Sequence, residues 1–363
     1  MSILQKLTSS SGGSRGLIGL DISSSAVKLL ELSKRGDQVM VEAYSVEPLP
    51  INAVSDKQIA EPEVVAEAIK RALQRAGTRT KNVAVAVAGS SVITKIIQMS
   101  ASLNDNEMEE QIKAEADQYI PYPIEEVNMD FQIIGPSASE SGKVDVLLAA
   151  CRKEQVEQRI AAVELAGLKA KLVDIEANAL ENSCQFLTHQ MPNEGRNKPV
   201  AVIDMGASTT SVLILHNNDT VYTRDQAFGG KQLTEDIMRI YGMSYEDAGK
   251  AKRTGQLPEG FDTDVLSHFL SDMAQQIDRS FQFFFNASSA HSQIDQIILA
   301  GGCAHIPGVD RAIQDRLQIP AVVARPFSRM AVSSRAKPTV LAKDEAALLI
   351  ACGLAYRAFD VVD

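Results

Sequence analysis

Two short stretches of this sequence place a carboxylate beside a run of small and hydroxyl residues. In "LIGLDISSSAVKLLELS", Leu17 to Ser33, Asp21 ends an apolar run, Ser23, Ser24 and Ser25 follow, and Lys28 stands in the next apolar run. In "VAVIDMGASTTSVLIL", Val200 to Leu215, Asp204 is followed by Gly206, Ala207, Ser208 and Thr209. A hairpin needs only one or two turn formers, usually with a glycine. Three hydroxyls after a carboxylate exceed that need. Consecutive backbone N–H groups in such a bend can point at an anion, and the hydroxyls add donors without blocking its approach. The carboxylate would repel a phosphate unless a cation stood between them, and Mg²⁺ with retained waters is the usual one. Either stretch alone reads most simply as an ordinary hairpin. The recurrence, with each copy opening one half of the chain, favours a pair of hairpins facing one another across a cleft and clamping a polyphosphate.

A third element has the same tendency. "IDQIILAGGCAHIPGVDRAI" is a buried strand that runs into Gly301-Gly302 and then a helix with Pro307 near its start. A Gly-Gly bend after an apolar strand lets the backbone approach a planar ligand or a phosphate closely. Most such bends are plain strand-to-helix connections, so this one gains weight only from following two Asp-centred hairpins.

The elements that must position these residues alternate between strand and helix along the whole chain, which argues for an α/β class. "EPEVVAEAIKRALQRAG" is a helix with Pro62 at its start and Gly77 past its end, and Val65, Ile69, Ala72 and Leu73 share one face. "KNVAVAVAGSSVITKIIQM" reads as two strands about an Ala-Gly-Ser-Ser break, and "NDNEMEEQIKAEADQYI" as a polar helix stopped by Pro121. With the strand "VDVLLAAC" and the helix after it, residues 82–164 read as a compact strand–helix–strand–helix subdomain. "MPNEGRNKP" is the clearest linker. Leu266, Phe269, Leu270, Met273, Ile277, Phe281 and Phe284 recur at helical spacing, so "FQFFF" is the buried face of a long helix rather than an aromatic binding surface.

The order of "GLDISSSAVK", "VIDMGASTT" and "GGCAHIP" resembles the phosphate-1, phosphate-2 and adenosine motifs of the actin and heat-shock-chaperone ATPase superfamily. Within it, "EADQYIPYPIEEVNMDF", "VDIEANALEN" and "RDQAFGGKQLTEDIMRIYGMSYEDAGKAKRTG" make the chain similar to the FtsA-like branch, and to the PilM family of type IV pilus assembly proteins. The resemblance runs from about residue 16 to the end. It implies an α/β actin-like ATPase fold of two similar halves around a nucleotide cleft, with an FtsA-type inserted small subdomain. Its division would be a flexible N-terminus over 1–15, a first half of 16–81 with 165–198 and 341–363, the insert at 82–164, and a second half of 199–340.

The resemblance also assigns roles. ATP would be held by Asp21, Ser23, Ser24, Ser25 and Lys28, by Asp204, Gly206, Ala207, Ser208 and Thr209, by Gly229, Gly230 and Lys252, and by Gly301, Gly302, Cys303 and His305. Asp21 and Asp204 would hold Mg²⁺ through water, and Glu176 would position the attacking water; a carboxylate that merely starts a helix is the simpler reading of Glu176. Two departures argue for slow turnover at most. Ser23 stands where the superfamily usually has glycine, and Gly249 where many members have an acid.

As a PilM-like scaffold the protein would bind the cytoplasmic N-terminal tail of the membrane protein PilN, linking the PilN–PilO complex to the pilus motor. Tyr119 and Tyr122 in "YIPYPIEEV" are the docking residues this implies, although a rigid helix exit packed on the insert is what the residues alone suggest. The motor ATPases and the platform protein are further partner candidates. A net charge of −10 excludes a broad basic face for nucleic acid or anionic lipid. No apolar stretch approaches the roughly 18 to 20 residues that span a bilayer. The four cysteines are scattered, which fits a reducing cytoplasm. A cytoplasmic protein recruited to the inner-membrane face is therefore expected. An FtsA-like division tether would call for an amphipathic helix after the closing segment, and "AYRAFDVVD" supplies none. A small-molecule kinase would need a base beside an acceptor hydroxyl, beyond the acids already assigned.

Overall fold

The computed structural model describes residues 16–55, 57–288 and 293–359, so the N-terminus expected to be flexible lies outside the described residues. The chain divides into two units, Met1–Ala179 with Ala351–Asp363, and Leu180–Ile350.

In the first unit, β1 (Ile18–Ile22), β2 (Ala26–Arg35) and β3 (Gln38–Pro48) form an antiparallel meander. A two-residue ribbon, β4 (Val54–Ser55) with β5 (Gln58–Ile59), leads into helix α1 (Pro62–Ala76). Proline at its start and Gly77 in the left-handed region, whose N–H returns to the Leu73 carbonyl, bound this helix as the sequence expects. Its Val65, Ile69 and Ala72 are buried. β6 (Asn82–Val87) pairs parallel to β1, and β10 (Lys169–Ile175), which follows the segments described below, pairs parallel to β6. The strand order is thus β10-β6-β1-β2-β3.

Between β6 and β10 a separate antiparallel sheet is built from β7 (Val92–Ser100), β8 (Val127–Pro136) and β9 (Lys143–Arg152), in the order β7-β9-β8. It has its own core, where Ile97, Met99, Val146 and Leu148 pack with Met108 and Ile112 of α2 (Asp105–Ala114). Two features differ from the 82–164 block read from the sequence. β6 belongs to the first sheet, and α3 (Lys153–Leu165) sends Val156, Ala162 and Val163 into the first unit's core. The strand β8, which the sequence reading passed over, completes the small sheet. α2 is also shorter than expected. The chain leaves helical geometry at Glu115, well before Pro121, and continues as a 3₁₀ turn that buries Ala116.

The start of α2 carries a capping box: the Asn104 side chain accepts from Glu107 N–H at 3.0 Å, and Glu107 accepts from Asn104 N–H at 2.9 Å. Asn104→Ala should cost about 1 kcal/mol, read as a lowered unfolding midpoint in urea.

The second unit repeats the first sheet. β11 (Val200–Met205), β12 (Thr210–His216) and β13 (Asp219–Gln226) form the meander, and β14 (Gln296–Ala300) and β15 (Ala321–Val323) continue in parallel, in the order β13-β12-β11-β14-β15. The expected long helix is α7 (Ser267–Ala287), with Phe269, Met273, Ile277, Phe281 and Phe284 buried; α4 (Glu176–Cys184), α5 (Gly230–Tyr241) and α6 (Tyr245–Thr254) precede it. Leu180, Cys184, Leu187 and Met191 pack in this unit's core, as do Ala346 and Leu349. Residues 180–198 and 341–350 therefore group with the second unit, where the sequence reading had them with the first. The chain then continues through α8 (Val309–Leu317), α9 (Pro338–Asp344) and the closing helix α10 (Leu349–Tyr356).

Candidate functional site

The first unit's hairpin opposes Asp21 to Lys28 across β1 and β2, and Lys28 Nζ lies 2.9 Å from Asp21 Oδ2. Lys28 thus neutralises a carboxylate that is only 3% exposed. In the loop, Ser23 donates from both its N–H and its hydroxyl to the Ala26 carbonyl, each at 3.0 Å. One of the three hydroxyls is therefore spent on closing the turn. Ser24 is half-buried and Ser25 is exposed, with its carbonyl accepting from Leu49 N–H.

Glu176 begins α4 at the end of β10, buried at 8% exposure. Its Oε2 accepts from Lys57 Nζ at 2.7 Å. Behind this pair lies Arg159 of α3, 1% exposed, which donates to three carbonyls: Ala86 at 2.5 Å, Lys57 at 2.9 Å and Gln155 at 3.1 Å. Burial pushes the Arg159 guanidinium below its ordinary range, and the negative charges of Glu176 and Asp21 pull it back up. Asp21 and Glu176, far apart in sequence, thus share the field of one buried cation. Sequence reasoning missed both Lys57 and Arg159. Arg159 left a signal, since it is a charged residue on the stripe of Val156, Ala162 and Val163; Lys57, beside a short strand, left none.

In the second unit four segments meet, the loop after Asp204 being one of them. Gly206 N–H bonds the Thr209 carbonyl at 2.9 Å and closes the turn after Asp204. The start of α5 then grips this loop from outside, with Gly230 N–H donating to Gly206 O at 3.0 Å and Lys231 N–H to Ala207 O at 2.7 Å. A β-carbon on Gly229 would stand 2.5 Å from Gly206 O. Lys252 of α6 donates to Gly230 O and to Thr234 Oγ1, both at 2.7 Å. Cys303 Sγ donates to Gly206 O at 3.1 Å. Gly301 has φ +83, and a β-carbon there would lie 2.4 Å from Met205 O and 2.5 Å from Asp204 Oδ1. Glycine is required on both counts.

Burial lowers the Lys252 ammonium from its usual range, with Cys303 opposing and Arg253 assisting. Ser208 and Thr209 are half-buried on the loop, and Gly302 is exposed with open space where a β-carbon would stand. His305 is exposed at the end of the Gly302–His305 turn and lies in the field of Glu345, whose carboxyl is pushed up by burial. The structure therefore gathers Asp204, Gly206, Ala207, Gly229, Gly230, Lys252, Gly301 and Cys303 at one place, with His305 at its rim.

No group of three or more His, Cys, Asp or Glu capable of holding a metal occurs among the described residues. A lone carboxylate beside hydroxyls, as Asp204 stands beside Ser208 and Thr209, is the kind of donor set that fits a cation such as Mg²⁺, which keeps its waters and takes one or two carboxylates plus phosphate oxygens. On the small sheet, Tyr119 and Tyr122 are half-buried against its core, Tyr119 OH donating to Glu115 at 3.0 Å and the Arg152 guanidinium lying 4.5 Å over the Tyr122 ring. Pro121 and Pro123 beside them are exposed.

Two sheets of one strand order, each opening on an Asp-centred hairpin, with a Gly-Gly bend beside the second hairpin, define an actin-like ATPase fold. The structure is similar to that of the PilM-PilN type IV pilus biogenesis complex, at 29% identity and a TM-score of 0.79 over 95% of this chain and 99% of that one. It shares its fold with the ethanolamine utilization protein EutJ from Carboxydothermus hydrogenoformans, at 15% identity and a TM-score of 0.56 over 97% and 92% of the two chains. In sequence it is 25% identical over 352 residues to the cell division protein FtsA of Streptococcus pneumoniae, covering 82% of this chain and 72% of that protein. The family described as type IV pilus assembly protein PilM matches residues 19–359, and the chain belongs to that family.

Proposed function

We propose that this protein is an ATP-binding scaffold of the type IV pilus machine that binds the N-terminal tail of PilN. The observation that carries the nucleotide reading is that the start of α5 and the bend at residues 301–303 both close on the loop after Asp204, through backbone atoms and one thiol, with Lys252 bonded to the start of α5. Such a site presents small residues and the hydroxyls of Ser208 and Thr209 to a polyphosphate and leaves the carboxylate of Asp204 to hold the waters of Mg²⁺, with Asp21 as the counterpart on the first unit's hairpin. In this reading Lys28 and Lys252 supply positive charge, Gly301, Gly302, Cys303 and His305 line the adenosine end, and Glu176 orients the attacking water.

Partner binding is supported by membership of the PilM family and by the likeness to a PilM-PilN complex. The exposed prolines and the half-buried tyrosine rings of "YIPYPIEEV" are where a disordered tail would find a few anchors in a preformed surface. Among the described residues no helix is long and apolar enough to cross a membrane. Attachment to the inner-membrane face would then come through PilN, with the motor ATPases and platform protein as further contacts.

Calorimetry tests both parts. Wild-type protein should bind Mg-ATP and, separately, a synthetic peptide of the PilN N-terminus. Tyr122→Ala should weaken the peptide about tenfold or more, as loss of an aromatic anchor does, while leaving Mg-ATP affinity unchanged. Steady-state hydrolysis should stay below about 1 s⁻¹, the low end for ordinary enzymes. Absence of ATP affinity, or of peptide affinity, would overturn the corresponding half of the reading.

A further inference from the structure

We propose that Lys57 is a positioning residue that holds Glu176 away from the attacking water and so keeps ATP turnover low, and that Arg159 keeps Lys57 in place. This rests on the reading of Glu176 as the residue that handles that water. Hydrolysis needs the water oxygen to bond the γ-phosphorus while the bond from that phosphorus to the β–γ bridging oxygen breaks. ADP leaves with the electron pair, and a proton of the water passes to a carboxylate and then to the departing phosphate. A carboxylate serves in this only if it can turn an oxygen to the water, and an ion pair that fixes its direction restrains that turn.

Glu176 Oε2 is instead 2.7 Å from Lys57 Nζ, in a pair whose side chains are 10% and 19% exposed. A charge-assisted bond of this length is among the strong ones, and separating the partners would leave two poorly solvated charges. Lys57 is also held from behind. It sits in the turn between β4 and β5 with φ +67, a conformation that costs a lysine energy. The donation from Arg159 to the Lys57 carbonyl at 2.9 Å maintains it.

Arg159 also ties this turn to the stem of the small sheet. Its bond to Ala86 O reaches the end of β6, where the chain leaves for β7, and Arg159 itself lies on α3, which begins where β9 ends. The strand that enters the insert and the helix that follows it are therefore tied together by the guanidinium that fixes Lys57. A displacement of the insert on its stem would load these bonds first, which makes Lys57 the point where a ligand on the small sheet would change turnover.

The test measures single-turnover hydrolysis of bound Mg-ATP beside its dissociation constant in the full chain. Lys57→Met should raise the hydrolysis rate at least about tenfold, one decade being the effect of about 1.4 kcal/mol on a barrier, with ATP affinity unchanged. Lys57→Arg, which keeps the charge, should retain the wild-type rate. Adding Glu176→Gln to Lys57→Met should remove the gain; a merely structural lysine would show neither the rescue nor this dependence. If Lys57→Met loses ATP affinity through misfolding, Lys57→Gln, which keeps a donor of similar length without the charge, carries the same measurement. An unchanged or slower rate in a variant that still binds ATP would overturn the lock. Loss of ATP binding in wild type would instead overturn the nucleotide reading beneath it, so the two failures are distinct.

Discussion

Asp204→Ala should bind Mg-ATP roughly ten- to a hundredfold more weakly than wild type, the usual loss when a group that orients a metal's shell is removed. The carboxylate is placed at the end of β11, and the backbone of Gly301 passes so close that a β-carbon would lie 2.5 Å from its Oδ1. Asp21 needs a different substitution. Its partner Lys28 is only 13% exposed in its side chain, and alanine would strand that ammonium. Asp21→Asn keeps the shape and a hydrogen-bond acceptor while removing the charge, and its ATP affinity should fall by a similar factor. Titration calorimetry at fixed Mg²⁺, with urea unfolding of each variant as control, measures this. Full affinity in both variants would show that the hairpin carboxylates do not serve the cation.

Gly353→Val should destabilise the first unit by about 3 kcal/mol or more, at the upper end of what overpacking costs. Gly353 lies on α10, and a β-carbon there would stand 1.7 Å from the Ala179 carbonyl oxygen. The same helix meets β1 at Gly19, where a β-carbon would be 2.0 Å from Ala351 O and 2.4 Å from Ala355 N. All these atoms are backbone, so no side chain can turn aside and the helix must back away bodily. That would uncover Leu30, which pairs with Gly19 across β2, faces the same side and is fully buried. The urea midpoint of purified Gly353→Val should drop accordingly. A variant as stable as wild type would mean that α10 does not pack as closely as Gly353 and Gly19 imply.

Local chemistry was legible because it is local. The carboxylate and small residues of each hairpin lie within a few positions of one another, and the register that pairs Asp21 with Lys28 follows from a three-residue loop. The core stripe of α7 was legible for the same reason, since helical periodicity is written into one segment. The resemblance of three motifs in order then identified the fold, because that order restricts how the chain can return to the site. The extent of the small sheet was less legible. β8 is mostly half-exposed, bends at a bulge near Gly135 and ends on a proline, so it lacks the alternation that marks a strand.

By itself the sequence determined the two Asp-centred hairpins, the Gly-Gly bend, the long buried helix and the α/β class, all of which depend on residues close in the chain. Tertiary structure alone decided that β6 and α3 belong to the first core, that the start of α5 closes over the Asp204 loop, and that Lys57 meets Glu176. That last pair is 119 positions apart, and Arg159 reaches Lys57 across 102. No local propensity encodes such contacts. They arise where a β4–β5 turn and a buried helix face are brought to the end of one parallel strand, and a charge buried there takes whichever partner the packing supplies.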